Sequence, residues 1–199
     1  MKKFVSLMLV FTLCAAMLAG CGSAGKQETS APTETTQSAP AYDSALALME
    51  AVWATYGESE RIPAAGGDME HDNMDGPGLF DIEKNAEMFQ SLILVDETLL
   101  GMLENDAATL LHMMNTNTFC SAAAALKDPA AAAEFAESYK TLVQNNQWMC
   151  GFPETVIVVS VGKYVVTAYG KDAPIQTFKD KLLALEPQAT VLVEAPTEA

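Results

Sequence analysis

Thr155-Val156-Ile157-Val158-Val159-Ser160-Val161-Gly162-Lys163-Tyr164-Val165-Val166-Thr167-Ala168-Tyr169 is the stretch whose reading decides the fold. Two runs rich in β-branched and aromatic residues flank Gly162-Lys163, and glycine in the first turn position suits a two-residue type II′ hairpin. Neither face of this hairpin is polar. The alternation sets Val156, Val158, Tyr164 and Val166 toward one side, with Ile157, Val159, Val165 and Thr167 nearly as apolar behind them. Both sides need cover, so the hairpin predicts layers above and below it.

Outward from the hairpin, the neighbouring segments read as its partners. Asp128-Pro129 is a helix start, a capping residue followed by proline at the first helical position, and Phe135, Tyr139, Leu142 and Val143 form the buried stripe up to Asn145-Asn146. A second helix begins at Pro174, turns Ile175, Phe178, Leu182 and Leu185 inward and stops at Pro187. Phe119–Leu126 and Thr190–Glu194 read as strands, the first weakened by its four alanines. From residue 116 the order is strand, helix, strand, strand, helix, strand. The predicted fold is therefore α+β, a ferredoxin-like β-α-β-β-α-β antiparallel sheet with both helices on one face. Additional N-terminal helices are expected, the first over 43–56, where Asp43 caps and Leu48, Val52 and Tyr56 seek the other face. Helical spacing recurs at Ile82–Leu92, Glu97–Leu103 and Asp106–Met113, whereas 58–81 reads as a long loop broken by glycine and proline.

Far upstream, Lys2 and Lys3 precede an apolar run from Phe4 to Leu18, and small residues lead into Cys21. A secretory signal peptide is built this way. The run is shorter than the ~20 apolar residues that a membrane span needs. Leu18-Ala19-Gly20-Cys21 also resembles the lipobox of bacterial lipoproteins, which implies cleavage before Cys21 and a diacylglycerol on its thiol. Residues 21–42 lack any large apolar side chain before Tyr42 and read as a flexible linker between lipid and domain. The organisation expected is a leader over 1–20, the lipidated cysteine and linker over 21–42, and a single domain over 43–196.

Loss of the leader removes two lysines and no acids, leaving 9 basic against 26 acidic residues, a formal −17. Such a chain is a poor match for nucleic acid or for an anionic lipid surface. Its membrane attachment must come from acyl chains, two of which hold stably.

Cys120 and Cys150 remain after Cys14 and Cys21 are assigned to the leader and the anchor. No C-x-x-C occurs, so a thioredoxin-type motif or a zinc knuckle is not supported. Outside the cytoplasm these two can form a disulfide, which over a loop of about 30 residues contributes ~3 kcal/mol in the chain-entropy model. They can equally stay as buried thiols.

Two stretches carry the remaining candidate chemistry. Asp68, Glu70, His71, Asp72 and Asp75 crowd the acidic part of the long loop. Their oxygens suit calcium, and His71 with two carboxylates suits zinc, but the spacing does not fit an EF-hand, and most acidic loops are simply solvated. In the second stretch, Trp148, Met149 and Phe152 lie in a connection between helix and hairpin, where they serve either as a binding surface or as a plug on the open end of the sheet. His112 reads as a structural histidine inside a helix. No cofactor is implied, and no Gly-x-Ser-x-Gly, His-Glu-x-x-His or phosphate-binding glycine loop occurs.

Ala64-Ala65-Gly66-Gly67-Asp68, Gln147-Trp148-Met149-Cys150-Gly151-Phe152-Pro153 and the valine-rich hairpin together resemble small uncharacterised lipoproteins of Gram-positive anaerobic bacteria that carry a domain of unknown function. The resemblance spans roughly Asp43 to Glu194 and transfers no catalytic or binding residue. It implies a lipid-anchored protein on the outer face of the cytoplasmic membrane. The expected role is a binding or assembly module with a protein partner or small ligand. A solute- or metal-binding lipoprotein comes next, and an enzyme last.

Overall fold

The computed structural model describes residues 42–198, and at its centre the hairpin forms where the sequence places it. Cys21, the leader and nearly all of the linker lie outside the described residues. Among the described residues seven strands make one antiparallel sheet: β1 (Ala64–Ala65), β2 (Gly78–Phe80), β3 (Leu103–His112), β4 (Phe119–Leu126), β5 (Thr155–Val161), β6 (Tyr164–Gly170) and β7 (Thr190–Pro196). Five α-helices accompany them: α1 (Ala45–Ala54), α2 (Ala86–Ile93), α3 (Glu97–Gly101), α4 (Ala132–Gln144) and α5 (Asp172–Leu185). Across the sheet the order is β1-β3-β4-β6-β5-β7, and β2 shares the outer edge of β3 with β1.

Gly162 has φ 58 and Lys163 is not at positive φ, which is the type II′ pattern at a two-residue turn. Val161 pairs with Tyr164 and Val158 with Thr167, so odd positions of β5 share a face with even positions of β6. The expected grouping of Val156 and Val158 with Tyr164 and Val166 is therefore wrong. Val156 and Val158 lie with Val165 and Tyr169, while Ile157 and Val159 lie with Tyr164 and Val166. The need for cover on both sides is met. α1 and α5 close one face through Leu48, Val52, Phe178 and Leu182, and α2, α3 and α4 close the other through Phe89, Leu99, Phe135 and Tyr139. Ile175, Phe178 and Leu182 are all but inaccessible, and burying each contributes ~1.5–3 kcal/mol.

Local signals act much as read, with small shifts. Ser44 rather than Asp43 caps α1, its hydroxyl accepting from the Ala47 amide at 3.1 Å. Asp128 accepts from the Ala130 amide at 3.0 Å and starts a 3₁₀ turn, Pro129–Ala131, that feeds α4. The alanines of β4 are buried between two helical layers, where their small size lets the layers approach and context overrides poor strand propensity.

Two expectations fail, and they share one cause. Asp106–Met113 is not a helix but most of β3, whose Ala107, Ala108, Thr109 and Leu110 are all buried. A central strand covered on both faces is a continuous apolar run, which periodicity cannot tell from a helix. β3 occupies the edge of β4 where the ferredoxin-like order would seat the last strand, and β7 pairs with β5 instead. The steps from β4 to β5 and from β6 to β7 then move the same way across the sheet, from strands that run oppositely. Crossovers between parallel strands are right-handed, so their helices must lie on opposite faces. They do: α4 and α5 sit on opposite sides, not on one.

Candidate functional site

The acidic loop is organised around one buried carboxylate. Asp68 Oδ1 accepts from the Glu70 and His71 amides, both at 2.9 Å, and from His71 Nδ1 at 2.8 Å. Its Oδ2 accepts from the Asp81 amide at 2.8 Å and from Asn85 Nδ2 at 3.2 Å. These donors occupy the acceptor positions that a metal would require. Burial pushes the Asp68 carboxyl up, but the Asp81 amide, His71 and the Glu70 amide outweigh it and hold it below the usual aspartate range. Glu70 turns away to Lys84 at 3.0 Å, and Asp72 and Asp75 face solvent. Among the described residues no three of histidine, cysteine, aspartate or glutamate are grouped to hold an ion. His71 is oriented by Asp68 but lines none of the larger clefts.

The second stretch divides between the two roles weighed for it. Trp148 turns inward against Tyr169, ring centroids 5.3 Å apart, whereas Met149 is 89% exposed and Phe152 is 53% exposed. Asn117 Nδ2 holds the Cys150 carbonyl at 2.6 Å and so clasps this loop to the β3–β4 turn. Gly151, at φ 63, passes so near Asn115 that a Cβ there would lie 2.4 Å from its side-chain Nδ2. Between this clasped loop and the end of α2 lies a cleft of about 630 Å³, with Met88, Leu92, Leu94, Trp148, Met149 and Tyr169 on its apolar side and uncharged polar residues, among them Asn117, Asn146 and Gln147, making up nearly half of the lining.

Two features distinguish this cleft. No side chain lining it is formally charged, in a chain whose net charge is −15. The Trp148 Nε1–H is buried without a hydrogen-bond partner among the described residues, and a donor left so costs ~1–3 kcal/mol. A scan against protein-family models matches none, and searches of the curated proteins and of the solved structures return no match.

The floor of the cleft is fixed by the end of α2. Leu94 stands there in the left-handed region at φ 65, the one non-glycine to do so among the described residues. The Leu92 carbonyl, left without a helical partner, accepts from the Tyr169 hydroxyl at 2.9 Å and from the Cys120 thiol at 3.3 Å. Burial raises the Tyr169 hydroxyl well above the ordinary tyrosine value and pushes the Cys120 thiol up to about 12.

Cys120 and Cys150 are not joined: the first is buried on β4 and the second is exposed at the cleft. In the native protein iodoacetamide should therefore modify Cys150 and spare Cys120, and in denaturant without reductant it should modify both. Peptide mass mapping reads this directly. Protection of both in denaturant would mean the disulfide forms after all.

Met88, Leu94 and Tyr169 belong to this site, and sequence reading did not single them out. Tyr169 reads as the last residue of a strand and Met88 as one more position of an amphipathic helix. The clue that existed was local: a polar turn, Asn115-Thr116-Asn117, able to hold the tryptophan loop from outside.

Proposed function

We propose that the protein is a lipid-anchored binding module on the extracytoplasmic face of a membrane, and that the cleft beneath Trp148 receives an uncharged apolar peptide segment of a partner. The anchoring part rests on Leu18-Ala19-Gly20-Cys21 behind its basic, apolar leader and on the resemblance to small lipoproteins of Gram-positive anaerobes. No helix among the described residues is long and apolar enough to cross a membrane. Cys21→Ser should release the protein from membranes or leave it unprocessed. A variant that matures and fractionates with membranes as before removes this part of the reading.

The binding part is carried by a cleft with no charged side chain, one of whose walls is Trp148 with its Nε1–H shielded and without an acceptor among the described residues. A small shift of the tryptophan loop on binding lets a peptide carbonyl satisfy that donor, and an apolar side chain lies well against Met88 and Met149, whose flexible thioethers fit varied shapes. A charged segment would lose its solvation in this cleft without finding a counter-charge. Titration with a capped leucine tripeptide, and with counterparts carrying lysine or glutamate at the centre, tests this. The neutral peptide should bind at least tenfold better than either charged one, a difference of about 1.4 kcal/mol. Met149→Asp should abolish that preference. Equal binding of all three peptides overturns the reading.

A further inference from the structure

On the other face of the sheet, the end of α1, the 59–62 loop, the His112 end of β3 and the first turn of α5 enclose a second cleft of about 420 Å³. Its walls are Trp53, Tyr56, Ile62, Phe119 and Pro174. An aromatic wall with a few converging polar groups, at this volume, is the usual make-up of a small-molecule site.

The polar groups specify what such a molecule carries. His112 Nδ1 accepts from the Met114 and Asn115 amides, both at 3.3 Å. The ring proton is therefore on Nε2, which is left as a donor. Ser59 and Thr118 add hydroxyls. Glu60 is the one carboxylate in the lining, and it is already held by Lys181 Nζ at 2.7 Å and by the Gly57 amide at 2.8 Å. Arg61, the single arginine of the chain, follows the lining residue Glu60 in sequence and does not itself line the cleft, but its guanidinium stands at the rim, 5.0 Å from the centre of the lining Trp53 ring. Among the described residues no carboxylate is within ion-pairing distance of it. Leaving the only guanidinium unpaired in a chain with 26 acids gives this rim an anion-seeking group. A ligand ammonium is disfavoured, because Arg61 and Lys181 already stand over the Trp53 and Tyr56 rings.

We propose that this second cleft binds a small monocarboxylate with an aromatic or branched apolar body. The body lies against Trp53, Tyr56 and Phe119, and the carboxylate meets His112 Nε2–H and Arg61. The site is separate from the Trp148 cleft and stands whether or not that one binds peptide. Its chemistry is shared by free acids and by the carboxyl end of a peptide that finishes in an apolar residue.

Phenylacetate, benzyl alcohol and phenethylamine carry similar bodies and differ in the head group, so they isolate the carboxylate. Calorimetry on the unaltered full chain gives affinities, and fluorescence of Trp53 in a Trp148→Phe variant reports on this cleft alone. Phenylacetate should bind one to one and at least tenfold tighter than the alcohol, with the amine weaker still. Arg61→Gln and His112→Gln should each weaken phenylacetate about tenfold, as loss of a charge-assisted hydrogen bond does, and leave the alcohol unchanged. Glycylglycylphenylalanine binding more tightly than phenylacetate identifies the ligand as a peptide end, and weaker binding identifies a free acid. The proposal falls if no compound saturates, if alcohol or amine equals the acid, or if both glutamine variants keep the affinity for phenylacetate.

Discussion

Asp68→Asn is expected to destabilise the domain by about 3 kcal/mol near neutral pH, the range for removing charge from a carboxylate with several buried donors. Five contacts converge on this side chain, and they tie the acidic loop to Asp81, Asn85 and His71. The amide can accept on one side only and presents N–H groups to donors on the other. The pH dependence carries a definite sign. The folded carboxyl sits below its ordinary value, so its stabilisation is complete above the unfolded aspartate value of about 4 and is lost as pH falls through the depressed native value. Urea midpoints measured at neutral pH and at about pH 3 should differ less for the asparagine variant than for the parent. An unchanged neutral midpoint would mean that the loop does not depend on this carboxylate.

Gly66→Ala is expected to strip β1 and β2 from the edge of β3. A Cβ on Gly66 would lie 2.1 Å from the Thr109 carbonyl oxygen and 2.5 Å from the Gly78 nitrogen. Both neighbours are backbone, so nothing can rotate aside. The paired bonds between Gly66 and Asn73, at 2.9 and 2.8 Å, should go with them. A cost of roughly 3 kcal/mol or more fits strain of this kind. Amide exchange should quicken across 64–80 while β5 and β6 keep their protection. Gly101→Ala is the matching control: nothing lies within 4 Å of its Cβ, and its φ is not positive, so it should be neutral or slightly stabilising. Similar losses in both variants would argue against close backbone approach as the cause.

What the sequence made legible follows from how local each signal is. The hairpin, β4, α4 and α5 are marked by residues inside themselves: Gly162, Asp128-Pro129, Pro174 and stripes of apolar side chains. β3 has no such mark, because Ala107 to Leu110 are covered on both faces and their run looks the same as a helix. From that one misreading the position of β7 and the side taken by α5 followed, since handedness links strand placement to helix face. Asp68 reads in the sequence as one of five candidate metal ligands in an acidic loop, although an aspartate after two glycines and two to three residues before its own amide donors suits a turn-capping role. The Trp148 cleft was half legible. Its loop announces itself by composition, but Met88, Leu94 and Tyr169 reach it only through the packing of α2 and β6. The same holds for the second cleft, where Trp53 and His112 come from elements nearly sixty positions apart.

The most direct measurement of the binding claim is the indole N–H signal of Trp148 in a ¹H–¹⁵N correlation spectrum. The chain has two tryptophans, so two indole signals appear, and Trp53→Phe assigns them. The Trp53 indole donates to the Asp75 carbonyl at 3.0 Å, whereas that of Trp148 is unpartnered. On adding the capped leucine tripeptide, the Trp148 signal should move downfield and saturate while the Trp53 signal stays in place. A Trp148 signal that remains still while the peptide is raised well into the millimolar range would contradict a recognition role for this cleft.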